Sequence, residues 1–426
     1  MKILIDNIDI IPMTKRDLVL ENSCIEIDGE KIISVGSKTE GFKPDKIIDG
    51  KDKLAIPGLI NAHTHMGMSY MRNYADDLDL MDWLQDEIWP LEAKLTREDI
   101  YYSSKLSMLE SIKSGITTFV DMYFEMDRVG DAALEIGMRG VLTPGYIEDD
   151  RSEQRIEAYR RLYENYDGKS GLLKVMIAPH APYTVGKEHL FKLIELSKEL
   201  NTGIHIHLAE TEFEEKEAYK NFGMSTIKYI DSLGLFEQPT IAAHCVHVDD
   251  EDIEIMAEKN VHVVHNPSSN LKLASGFAKV QQMLDAGVKL ALGTDGSSSN
   301  NNLNMIEEMH IASIMAKAVS KNPKALSAYD TLKMATMGGA EAIGMGKQLG
   351  AIEAGRLADI SIIDLNKIHL KPINNKISLV VYSAQASDID TVIINGNIVM
   401  ESRKIIGVDE NEIIEEVDYR MKRLRA

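Results

Sequence analysis

The chain is poor in cysteine: Cys24 and Cys245 are the only two, far apart in sequence. That excludes a disulfide framework and fits a reducing compartment, with both thiols as plain core residues. Excess positive charge is also absent, with 47 Lys and Arg against 67 Asp and Glu for a net charge of −20. An electrostatic grip on nucleic acid or on an anionic membrane, both of which reward basic patches, is therefore excluded. No uninterrupted apolar stretch is long enough to span a bilayer. The opening MKILIDNIDIIPM alternates apolar with polar residues and has no small-residue cleavage site, so it reads as a strand rather than a secretion signal. A soluble, cytoplasmic protein with a small-molecule partner is the expectation. A homo-oligomer is expected as well, although nothing in the sequence fixes the number of subunits.

What is present is apolar material in quantity: 426 residues, 44% hydrophobic, enough for one barrel and a smaller appended module. Residues 1–56 and 349–405 read as short strands broken by turn signals such as DGE, DGK and NGN, and look like one small β module built from both termini. From about Asp409 to Ala426, dense charge with apolar residues at helical spacing predicts a closing surface helix, so the second terminal segment runs over 349–426. Between them, over 57–348, eight apolar runs occur: Leu59–His63, Ile116–Asp121, Gly140–Ile147, Leu173–His180, Gly203–Leu208, Thr240–Val246, Val261–His265 and Lys289–Thr294. Each is followed by a loop and a stretch of helical period, the pattern of a (β/α)8 barrel. A doubly wound open sheet would usually have fewer units and a glycine-rich phosphate turn after its first strand, and there is no such turn.

Barrel enzymes place reactive groups at the carboxyl ends of their strands. The first run closes in NAHTH, giving His63 and His65, which share a face because strand side chains alternate. Further ends supply His180 in APHAP, His207 and Glu210 in HIHLAE, His244 in AAHCVH and Asp295 in GTDG. One pocket can gather them all. His205 shares the face of His207 one pleat lower and reads as a supporting residue. His189, His247, His262, His265, His310 and His369 read as packing or surface residues. Imidazole nitrogen with carboxylate oxygen suits a borderline cation such as zinc or ferrous iron, whereas magnesium or calcium would ask mostly for oxygen. Such an ion brings the pKa of its water from near 16 to about 7. A neighbouring carboxylate outside the ligand set can then move protons, and Glu210 is placed for it.

The segments PGLINAHTHMGM, HIHLAET, AAHCVHVDDEDI, NPSSNLKLASG and LGTDGSSSNNNLNM, followed by GRLADISIID, resemble the amidohydrolase superfamily. Within it they resemble the 5-methylthioadenosine/S-adenosylhomocysteine deaminase branch, which includes 5'-deoxyadenosine deaminases. The resemblance covers essentially the whole chain. It implies a metal-dependent deaminase that turns adenosine-type nucleosides into the inosine analogue and ammonia. It also implies a barrel with a small composite β-sandwich domain, and one metal, most often zinc or iron, on His63, His65, His207 and Asp295. Glu210 would protonate purine N1, His244 would orient the water, and Asp295 would accept its proton. The bridging lysine that two-metal relatives need on the fourth strand is missing from IAPHAP. For the substrate, WPLEAKL nominates Glu92 for the ribose hydroxyls, and His180 and Arg155 correspond to substrate-contacting residues. Some members have an arginine where this chain has Pro144, so methylthioadenosine, 5'-deoxyadenosine or adenosine are expected to be better substrates than S-adenosylhomocysteine. The alternatives are a relative acting on another ring, such as guanine or a triazine, and a catalytically dead binding protein on the same barrel. The second predicts eroded ligands, and all four are present.

Overall fold

The computed structural model describes residues 1–78 and 82–425. Its centre is a ring of eight parallel strands: Leu59–Thr64, Ile116–Tyr123, Arg139–Tyr146, the broken pair Leu173–Val175 and Ala178–Pro179, then Ile204–Leu208, Thr240–His244, His262–His265 and Lys289–Leu292. Strands one to four pair in chain order, as do five to eight. Two seams close the ring. Between strands four and five, His205 N donates to Ile177 O at 2.8 Å and Ile177 N to Gly203 O at 3.0 Å. Between eight and one, Thr294 N donates to the Asn61 carboxamide oxygen at 3.0 Å and Asp295 N to His63 O at 3.0 Å. Gly293 permits that second seam, because a Cβ there would lie 2.5 Å from Asn266 Oδ1 and 2.8 Å from His63 O. Strands one and two are buried along their whole length, as parallel strands are when helices cover the outside and side chains fill the inside.

The helices follow their sequence signals. Arg97–Lys113 starts at Thr96, whose hydroxyl accepts from Asp99 N while the Asp99 carboxylate accepts from Thr96 N, and it ends on a lysine that suits the negative end of the helix. No helix among the described residues is long and apolar enough to cross a membrane.

The two ends of the chain meet in one nine-stranded sheet. Lys53–Pro57, paired parallel to Lys2–Ile10 on one side and antiparallel to Ile360–Asp364 on the other, joins the halves and runs through Gly58 into the first barrel strand. One face of the sheet carries an almost purely isoleucine core, including Ile3, Ile5, Ile8, Ile10, Ile25, Ile27, Ile360, Ile362 and Ile393. β-Branched residues pack well on a pleated surface, which accounts for the choice. Barrel and sheet are tied by Arg139 at the start of strand three, opposite the mouth. Its guanidinium, 2% exposed, makes a two-pronged contact with Asp359 at 2.9 and 3.0 Å and also reaches Asn395 and the Gly171 carbonyl.

One expectation fails locally. Within 349–405, Lys376–Tyr382 is a helix rather than a strand. Asn375 caps it by accepting from Ser378 N, and Tyr382 hydroxyl meets Ser313 on the helix Met305–Ser320. Capping and packing against that neighbour override the strand preference of the run ISLVVY. The closing helix is present as Glu410–Arg425, where Arg420 and Arg423 reach buried Asp99.

Candidate active site

The polar residues at the strand ends converge at the carboxyl end of the barrel. His63 and His65 rings lie 4.9 Å apart between centroids, His63 and His207 4.8 Å, and His207 and His244 5.4 Å. Asp295 from the end of strand eight places one carboxylate oxygen 3.4 Å from His63 Nε2 and 3.1 Å from His65 Nε2. Glu210 lies beside them with an oxygen 3.8 Å from His244 Nε2.

Hydrogen bonds behind the rings decide which nitrogen faces the centre. His207 Nδ1 donates to His180 O at 2.8 Å, His244 Nδ1 to Asn270 Oδ1 at 2.8 Å, and His65 Nδ1 to Met122 O. Each of these partners is an acceptor, so each Nδ1 carries the proton and each Nε2 turns a lone pair inward. His63 follows the same rule through a longer chain: its Nδ1 meets His205 Nε2 at 3.0 Å, His205 Nδ1 meets Thr143 hydroxyl at 3.1 Å, and that hydroxyl donates to Asp121 O at 2.6 Å. His205 is thus the supporting residue its register suggested. The second oxygen of Asp295 accepts from Ser269 at 2.6 Å and from Ser299 at 2.9 Å, which leaves the first aimed at the histidines.

Burial drives the charges. It pushes His63 down to about 4 and His180 down to about 3, so both stay neutral with lone pairs available. Burial also opposes charge on Asp295 and His65, but His63 and His65 hold the Asp295 carboxyl well below the usual range, and Asp295 lifts His65 to about 9, so His65 Nε2 keeps a proton that a cation binding there would displace. Burial raises Glu210, which suits a group that must carry a proton. Among the described residues, His63 Nε2 is fully buried without a hydrogen-bond partner, which a protein rarely tolerates. Ligand atoms of His63, His65 and Asp295 lie within 4.8 Å of one another, as do those of His63, His207 and His244. Inward imidazole lone pairs plus one ionised carboxylate fit a divalent cation of the zinc or iron type.

The strand ends here are strained. Ala209, His244, Cys245 and Asp295 all have positive φ, at 51°, 73°, 46° and 62°, a conformation that costs a non-glycine residue about 1–2 kcal/mol. Such strain gathers where a side chain has to be aimed.

A cavity lies over this centre, lined by His65, Trp83, Leu84, His180, Glu210 and Leu273 among others. Half-buried Glu92, in the same lining, accepts from Tyr123 hydroxyl at 2.6 Å, and burial raises its carboxyl to about 7. His180 lines the same cavity, its Nδ1 3.0 Å from Thr184 hydroxyl. Arg155 is not brought to the centre. It lines a second, larger cavity of about 930 Å³ that shares Trp89, Glu92, Tyr123, Phe124, Gly145 and Ile147 with the first, and its guanidinium is occupied by Asp149 at 2.7 and 3.2 Å. Pro144 and Arg151 lie in that outer wall too. Reading by residue type missed Tyr123, which extends two residues past the apparent end of its run. It also missed Ser269 and Ser299, whose stretches NPSSN and GSSSN are polar at strand ends and so carried a usable signal.

Residues 54–399 match the amidohydrolase family model, and the chain belongs to that family. More narrowly, it is 51% identical to the 5-methylthioadenosine/S-adenosylhomocysteine deaminase of Thermoanaerobacter pseudethanolicus, over 100% of this chain and 99% of that one. It is 50% identical, with the same coverage, to the enzyme of that name from Caldanaerobacter subterraneus subsp. tengcongensis. Among solved structures it matches an adenosine deaminase from Xanthomonas campestris with bound zinc at TM-score 0.96 and 32% identity, covering 99% of this chain and 98% of that chain. An atrazine chlorohydrolase from Arthrobacter aurescens superposes at TM-score 0.92 with 24% identity over 98% of this chain and 100% of that chain, a likeness of fold alone.

Proposed function

We propose that the chain is a metal-dependent aminohydrolase that converts adenosine-type nucleosides and water into the inosine analogue and ammonia. The observation that carries this reading is the presence of two carboxyls in the lining of one cavity: buried Glu210 beside the histidine and aspartate group, and Glu92 with Tyr123. The first suits proton transfer to a ring nitrogen and the second suits ribose hydroxyls. The near-half identity to curated nucleoside deaminases over the full chain agrees.

His63, His65, His207 and Asp295 would hold one divalent ion, zinc in the favoured form. Bound there, the ion supplies Lewis acidity that brings a water's pKa to near neutrality. His244, fixed by Asn270, orients that water towards the ring carbon bearing the amino group. Glu210 carries the water's first proton to the adjacent ring nitrogen, Asp295 takes the second and passes it to the amino group, and ammonia leaves as the carbonyl forms. Glu92 and His180 position the nucleoside. The outer cavity would receive the 5' substituent. With Arg155 engaged by Asp149 and Pro144 in the wall, an uncharged methylthio group fits it better than an amino acid chain. The same reading divides the chain into a barrel over 57–348 and a terminal module of 1–56 with 349–426, and places the enzyme in the cytoplasm.

The test is ammonia release by metal-loaded protein from adenosine, 5'-deoxyadenosine, methylthioadenosine, S-adenosylhomocysteine, adenine, guanine and cytosine. Turnover of the 5'-substituted adenosines, with methylthioadenosine ahead of S-adenosylhomocysteine, is expected. Silence on every nucleoside beside turnover of guanine would replace this reading with a free-base enzyme.

A further inference from the structure

His207 and Glu210 are three residues apart, and in a regular strand residues three apart point to opposite faces. Both nevertheless line one cavity. The chain achieves this at Ala209, where φ turns to +51° and takes the backbone out of the strand. A left-handed alanine does not hold itself there, so something must fix it. From one side, Val246 N and His247 N both donate to Ala209 O at 2.9 Å. From the other, the two oxygens of Glu214 accept from Ala209 N and Glu210 N, each at 2.9 Å. Glu214 is 4% exposed, and its own N–H is bound by Thr211 in the first turn of the helix Glu212–Phe222.

We propose that Glu214 is a positioning residue for proton transfer: it clamps the left-handed turn that swings Glu210 onto the side of His207. The proposal rests on the reading of Glu210 as the proton carrier. Two adjacent N–H groups ask for two acceptor oxygens side by side, which a carboxylate offers and a carboxamide does not. The contact is to main chain, so Glu214 acts on Glu210 without touching substrate.

The experiment compares Glu214→Ala and Glu214→Gln in the wild-type and Glu210→Gln backgrounds, measuring kcat, KM for methylthioadenosine and bound metal. Misplacing a reacting group by about 1 Å costs about 100-fold in rate, so Glu214→Ala should lose about that much kcat with KM and metal stoichiometry nearly unchanged. Glu214→Gln, keeping one acceptor, should lie between. Because the clamp works through Glu210, removing Glu214 in the Glu210→Gln background should change kcat by less than about twofold, a non-additivity expected of coupled residues. Wild-type kcat in Glu214→Ala, or the same fold-loss in both backgrounds, would overturn the proposal. If Glu214→Ala does not fold, Glu214→Gln in the two backgrounds makes the same comparison. Wild-type protein inactive on all nucleosides would overturn the deaminase reading and this inference together, whereas an active wild type with additive losses would overturn the clamp alone.

Discussion

The terminal sheet and the barrel mouth are built by opposite rules. The sheet buries isoleucine against isoleucine, and its left-handed residues include turn types that tolerate the conformation, such as Asn22, Asp52 and Asn395. The mouth buries histidine, aspartate and glutamate, and bends its backbone at His244 and Asp295 and also at Ala209 and Cys245, residue types that do not favour the conformation. Regularity is what stability alone produces. Strain and buried charge mark the place where side chains have to be aimed.

This contrast can be broken by substitution. The largest effect should come from Glu210→Gln, which removes the proton carrier: kcat should fall about 1000-fold, within the usual range for a lost general acid, while bound metal and Tm stay put. A mutant that turns over normally would take Glu210 out of the mechanism. At the other pole, Arg139→Ala leaves Asp359 buried and unpaired and should cost about 3–5 kcal/mol of stability, read by denaturant unfolding, with kcat at 25 °C within about twofold. A kcat loss without a stability loss would erase the division between the two regions.

Smaller effects sharpen it. Measured above pH 7, where the Glu92 carboxyl is ionised, Glu92→Ala should remove hydrogen bonds worth about 1.5–3 kcal/mol, appearing as a raised KM for nucleosides with kcat little changed. An unaltered KM would return Glu92 to a role in packing. Ile3→Val in the sheet core should cost about 0.5–1.5 kcal/mol, with no effect on either kinetic constant.

Much of this was legible in the sequence because of where polarity interrupts hydrophobicity. The ends of runs one, four, five, six and eight carry residues able to bind metal, and strand alternation alone puts His63 beside His65. The seam between strands eight and one, which depends on Gly293, is a three-dimensional fact that no local pattern carries. The helix Lys376–Tyr382 was hidden because ISLVVY is β-branched and apolar, although Asn375 was a readable cap. Glu214 was hidden for a different reason. The sequence T-x-x-E over Thr211–Glu214 announces a capping box, but the glutamate reaches past the cap residue to the turn before it. Arg155 was readable as a charge near the substrate, whereas its engagement by Asp149 depends on how the loop after strand three folds.

One divalent ion, held by three histidines and Asp295, is proposed to drive deamination of an adenosine-type nucleoside at the barrel mouth. Stripping the metal with a chelator and titrating zinc back, while following ammonia release from methylthioadenosine, decides whether it does. The account expects activity to vanish on stripping and to return in full at one equivalent of zinc per chain. Undiminished release from the stripped protein, or recovery only at two equivalents, would contradict it.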